Sequence, residues 1–111
     1  MDRRWTLEAA RALLPDVRAR TERAVGEAEP LLDERERHAA GSPERRAAED
    51  AAGEVIQRWA REMEALGLEV KGLWLVDFDS GAGYYCWRWP ERELGHFHGY
   101  EEGFAGRVPI Q

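Results

Sequence analysis

Apolar positions recur in steps of three and four along the first part of the chain. One set is Leu7, Ala10, Leu14, Val17, Ala24, Ala28 and Leu31; a second is Ala48, Ala52, Val55, Ile56, Trp59, Met63 and Leu66. This spacing places each set on one face of a helix. Thr6 ahead of Leu7-Glu8 suits an N-cap, with an acid in the first turn where the helix dipole favours it. Gly41-Ser42-Pro43 punctuates the two sets, Ser42 as cap and Pro43 at the first helical position. Gly67 is the expected C-terminal stop. Pro15 should break or kink the first run near Leu13-Leu14, leaving a short helix and a longer one, and Pro30 is a second candidate bend. The outcome is a long antiparallel hairpin whose arms reach roughly 35–40 Å at 1.5 Å per residue.

After Gly67 the period changes to two. Leu73 to Phe78 and Tyr84 to Trp89 are aromatic and β-branched runs, hence strands, joined by a hairpin loop at Asp79-Ser80-Gly81-Ala82-Gly83. A turn at Pro90 to Glu93 leads to a third strand, Leu94 to His98. The predicted fold class is α+β in one domain, residues 1–111. Its helical part spans about 6–67, and a three-stranded antiparallel meander with a Gly-rich C-terminal loop spans about 68–111. The helical hairpin carries more apolar stripe than one small sheet covers, so a homodimer through the helices is expected.

Alternation also sorts side chains by face. Tyr85, Trp87 and Trp89 share one face of the second strand, and Tyr84, Cys86 and Arg88 the other. A three-residue loop at Glu91-Arg92-Glu93 pairs Trp87 with Phe97 and Cys86 with His98. The aromatics then form the core face, while Cys86, Arg88, His96 and His98 gather opposite. A loop one residue shorter or longer reverses that grouping.

This grouping brings in the candidate chemistry. Cys86, His96 and His98, with carboxylates at Asp77, Glu101 and Glu102, supply the donor types of a zinc or iron site. The competing reading makes the histidines half-exposed strand residues and Cys86 a small buried hydrophobe. Nucleophilic catalysis by Cys86 with His98 as base needs an accessible thiol of lowered pKa. Gly103-Phe104-Ala105-Gly106-Arg107 lets the backbone turn and offers the Arg107 fork to a carboxylate or phosphate. It lacks the Lys-Ser/Thr ending of a P-loop. A binding module for a small anionic ligand would use His98, Gly103, Gly106 and Arg107. The alternative is a turn packing Phe104 inward while Arg107 pairs with a local acid.

Composition narrows the classes. The chain has 22 acids against 16 bases, net charge −6 and 43% hydrophobic residues. That balance argues against general nucleic-acid binding, and the aromatics read as core rather than as base-stacking platforms. No apolar run approaches the ~20 residues of a membrane span. The N-terminal residues lack a secretory h-region, and the single cysteine excludes both an intrachain disulfide and a CxxC zinc site. A cytoplasmic location follows. No helix carries the Glu-x-x-His of a di-iron bundle.

Several pieces together resemble a bacterial family, domain of unknown function number 2203. They are Thr6 to Ala10 with Ala12-Leu13-Leu14-Pro15, then Gly72-Leu73, Val76-Asp77-Phe78, Tyr85-Cys86-Trp87-Arg88, His98, and Gly103 to Ile110. The resemblance covers nearly the whole chain. It implies a small cytosolic bacterial protein, and it implies fold rather than chemistry. Cys86, Trp87, His98, Gly103, Phe104, Gly106 and Arg107 fall on the family's signature, Phe97 replaces a Trp, and His96 is particular to this chain. The expected function is therefore a non-catalytic interaction or small-anionic-ligand module. The alternative is a metal-binding protein, with hydrolase activity open to it, using Cys86, His98 and a nearby carboxylate.

Overall fold

The computed structural model describes residues 4–111. Two helices, α1 (Leu7–Glu36) and α2 (Pro43–Ala65), form the antiparallel hairpin, and five strands follow. These are β1 (Glu69–Gly72), β2 (Leu75–Asp79), β3 (Tyr84–Arg88), β4 (His96–His98) and β5 (Val108–Pro109). They make one antiparallel sheet in the order β1-β2-β3-β4-β5. The fold is α+β, with five strands in place of the three predicted.

Local chemistry accounts for the helix ends. The Ala9 amide donates to Thr6 Oγ1 at 3.0 Å, and the Arg45 amide to Ser42 Oγ at 3.1 Å. Gly67 at φ +94° closes α2, its amide donating to the Glu64 carbonyl while the Leu68 amide donates to the Met63 carbonyl. Those two bonds satisfy carbonyls that the helix end would otherwise orphan.

Pro15 does not end the first helix: α1 runs unbroken through both Pro15 and Pro30. Pro15 can donate nothing to the Arg11 carbonyl, but both residues are exposed, where solvent can supply a donor to that acceptor. Ala10, Leu14 and Val17 stay buried on the opposite side and hold the helix together across the proline. The buried stripe also includes Thr21, at the gap between Val17 and Ala24. Its hydroxyl donates to the Val17 carbonyl at 2.8 Å and accepts Trp59 Nε1–H at 2.9 Å.

The sheet caps one end of the hairpin. Its inner face carries Val76, Phe78 and Trp87, all fully buried against Trp5, Trp59, Met63 and Leu94. Trp5 meets Phe78 edge-on at 5.3 Å, and Trp59 meets Trp74 at 5.0 Å. Leu73 and Trp74, expected within a strand, form the β1–β2 turn, with Trp74 at φ +59°. Among the described residues the exposed large hydrophobics are Leu73, Tyr100, Phe104 and Val108, on the sheet side rather than on the helices. No described helix is long and apolar enough to cross a membrane.

The register of β3 and β4 differs from the predicted one by two residues. Cys86 lies opposite His96, Tyr85 opposite Phe97, and Tyr84 opposite His98. The connection from Trp89 to Gly95 is longer than a three-residue loop, which slides β4 along β3. A shift of two keeps every side chain on its predicted face. Gly83 fixes the start of this pairing. A Cβ there would meet the Phe97 ring and lie 2.8 Å from the His98 carbonyl. Gly83→Ala is expected to cost about 1–3 kcal/mol through overpacking, read as a lower urea midpoint.

Candidate functional site

On the outer face of the sheet, Asp77 of β2 and His98 of β4 flank the central strand β3. Strands lie about 4.8 Å apart, so residues two strands apart meet only if their side chains lean across the one between. They do. His98 Nε2 is 2.9 Å from Asp77 Oδ2, and Cys86, opposite Asp77 in the β2–β3 ladder, completes the group. One ligand atom from each of Asp77, Cys86 and His98 lies within 4.8 Å of the others. An outward sheet face is ordinarily wet, yet these residues are only 1%, 1% and 5% exposed. Above them the chain after β4 folds back through the short helical turn Phe104–Gly106 to β5. Together with Lys71, Leu75, Tyr84 and Tyr100, that segment walls a pocket of about 330 Å³ onto which all three residues open.

Proton accounting gives the group its character. His98 Nδ1 lies 2.8 Å from the Gly99 carbonyl. A carbonyl only accepts, so Nδ1 carries the hydrogen and Nε2 is turned toward Asp77. A single proton must then bridge Nε2 and Oδ2. Asp77 Oδ1, also buried, has no hydrogen-bond partner. Burial pushes the Asp77 carboxyl up, against the opposing pull of His98, Cys86 and Lys71. Burial, with the adjacent Asp77 carboxylate, pushes the Cys86 thiol up to about 12, and Arg107 offsets only part of this. A thiol so raised is a poor nucleophile, which removes support from cysteine catalysis with His98 as base.

The raised thiol sets a pH dependence in the metal-free chain. Cys86 stays protonated when folded but ionises near 9 when unfolded. Its contribution to stability is therefore complete below about pH 9 and is lost as pH rises toward about 12. Relative to Cys86→Ala, the chelator-treated protein should lose up to about tenfold in its folding equilibrium constant per pH unit above 9. Urea midpoints of both proteins between pH 8 and 10.5 measure this.

The other candidate residues stand outside this buried group, some of them on the wall of the same pocket. His96 shares the face but stands apart from the group, its Nδ1 3.9 Å from Glu91 Oε2. Glu101, Glu102 and Gly103 are exposed along the pocket wall. Gly106 packs beneath the Glu102 side chain. Arg107 forks onto the Glu91 carboxylate, with Nη1 3.0 Å from Oε1 and Nη2 paired with Oε2. Burial would raise the Glu91 carboxyl, but these bonds outweigh it and hold the group below the usual range. Arg107 Nη1 also reaches Cys86 Sγ at 3.9 Å, and its guanidinium sits 4.1 Å from the centre of the Phe104 ring. Phe104 is 36% exposed and covers the sheet from outside instead of entering the core. Glu91 went unrecognised in the sequence. Its only signal was an acid in the turn before β4, where a partner for Arg107 would be sought.

Residues 3–110 match DUF2203, a family of uncharacterised conserved proteins. The chain belongs to that family. No curated protein and no solved structure matches it. The chemistry of this DUF2203 chain must therefore be argued from its own cluster of Asp77, Cys86 and His98.

Proposed function

We propose that Asp77, Cys86 and His98 bind a divalent metal ion, zinc foremost. One observation carries the reading: three buried ligand atoms converge within 4.8 Å, with Asp77 Oδ1 left unpartnered. A cation supplies what that carboxylate lacks and replaces the proton between it and His98. The His98 Nδ1–H held by a backbone carbonyl is the arrangement that orients a metal-binding imidazole through Nε2. Zinc bonds of 2.0–2.3 Å put tetrahedral ligand atoms roughly 3.3–3.8 Å apart, so the widest spacing in the group would contract by about 1 Å while the 2.9 Å His98–Asp77 pair opens slightly. One carboxylate and one thiolate would neutralise the ion. Thiolate and imidazole favour zinc over harder ions such as magnesium.

Held by three protein ligands, such an ion would keep a position open for water. That geometry is typical of zinc sites that activate water, and hydrolysis is the chemistry it serves. The other reading, an anionic ligand held by His98 and Arg107, has less support. Both Arg107 terminal nitrogens are engaged by Glu91, and both His98 nitrogens have partners.

Elemental analysis of untagged protein, purified without chelator and then offered one equivalent of zinc, tests the reading. About one zinc per chain is expected, lost in Cys86→Ser and His98→Ala and retained in Arg107→Ala. A folded, metal-free wild type after incubation would overturn it. Light scattering on the same sample reads the chain mass, and twice the monomer value would support the homodimer proposal.

A further inference from the structure

A second cleft lies apart from the proposed metal site and shares no lining residue with it. It is about 730 Å³, between α1 and the connection from β3 to β4. That volume falls within the ~300–1,000 Å³ usual for small-molecule sites. Leu14 and Leu94 line it as largely buried apolar residues, and Arg11, Arg18 and Arg92 line it as bases.

These arginines differ from most others in the chain in what they face. Arg20, Arg45, Arg58 and Arg107 each pair with a carboxylate. Arg11 instead donates Nε–H and an Nη2 hydrogen to the Leu94 carbonyl, at 3.3 and 3.2 Å. Arg18 donates Nε–H to the Glu91 carbonyl at 3.1 Å and lies 5.3 Å from the centre of the Trp89 ring. A backbone carbonyl fixes a guanidinium in place without cancelling its charge. The Arg18 terminal nitrogens remain open, and Arg92 makes no ion pair or hydrogen bond among the described residues. Glu22 and Glu93 also line the cleft, yet neither forms an ion pair with its arginines. Three bases against two acids make a locally positive cleft in a chain of net charge −6.

We propose that this cleft binds a small organic anion. Its carboxylate or phosphate would sit between Arg18 and Arg92, and its apolar body against the exposed Pro15 and Ala19, beside the buried Leu14 and Leu94. Forked guanidiniums match both anionic groups, and no carboxylate of the cleft is paired with them. An inorganic anion alone would leave the apolar floor uncovered, so both parts of the ligand contribute. This inference is independent of the metal reading.

Calorimetric titration of the full chain, treated with chelator, tests it. The probes are phenyl phosphate, phenylacetate, inorganic phosphate and benzyl alcohol. At least one of the first two should bind one per chain, at least tenfold more tightly than phosphate or benzyl alcohol. Which of them binds better identifies the anionic group. Arg92→Ala should weaken that binding by about tenfold, the loss of a charge-assisted contact. Arg92 is exposed and without partners, so its circular dichroism should be unchanged. Glu22→Gln removes a repelling carboxylate and should tighten binding a few-fold. The proposal fails if neither organic anion outbinds both controls, or if Arg92→Ala binds as wild type does.

Discussion

Saturating zinc is expected to stabilise the chain by about 4 kcal/mol when present at a thousand times its dissociation constant. Cys86→Ser should lose most of that gain. A metal held by this group would bind only the folded arrangement, because β2, β3 and β4 would each contribute one ligand. Binding also requires the Cys86 proton to leave, from a thiol pushed up to about 12 in the metal-free chain. Zinc affinity should therefore rise with pH across the neutral range, with proton release on binding. Serine keeps the volume of the buried site while removing the thiolate, making it a milder control than His98→Ala. The histidine deletion leaves the Asp77 carboxylate buried without its partner and should itself cost about 3–5 kcal/mol. Urea unfolding with and without zinc measures both effects. An unchanged wild-type midpoint would contradict the metal reading.

Trp59→Ala is expected to cost about 3–5 kcal/mol, against the 5–15 kcal/mol that holds most domains folded. Trp59 is 2% exposed and sits where the helical hairpin meets the sheet. Its ring packs edge-on to Trp74, and its Nε1–H ends on Thr21 in the middle of α1. Deletion opens a cavity between helices and sheet that neither side can fill alone. Thr21→Val separates packing from hydrogen bonding. It keeps the ring in place and leaves Nε1–H buried without an acceptor, for about 1–3 kcal/mol. A loss below 1 kcal/mol in Trp59→Ala would mean that this junction does not hold the two layers together.

The helical hairpin was legible because caps and period agree: Thr6, Ser42-Pro43 and Gly67 bracket two apolar stripes, and the structure places helix ends beside each. Pro15 misled because the stripe continues across it and the lost bond faces water. Two strands were invisible for lack of pattern. In β1, Glu-Val-Lys-Gly offers one apolar residue, and β5 is Val108-Pro109 alone. Both form because a neighbouring strand presents an edge, which is tertiary information.

Within the site, alternation placed Cys86, His96 and His98 on one face whichever even register the strands adopt. Which histidine meets Asp77 depends on the length of the connection after Trp89, and no local pattern encodes it. The same holds for Arg107. Its fork reads as a ligand-binding group until Glu91 is seen to occupy it. The positive cleft was similarly hidden, since Arg11 and Arg18 are two of many helix-surface arginines until the turn carrying Leu94 closes over them.

Cobalt(II) titration of the metal-free full chain, followed by absorption, tests the central claim most directly. Saturation at one equivalent is expected, with a thiolate-to-cobalt charge-transfer band and the intense visible bands of a four-coordinate ion. The charge-transfer band should be absent in Cys86→Ser. A spectrum that stays that of hydrated cobalt at every addition, in protein shown to be folded, would contradict it.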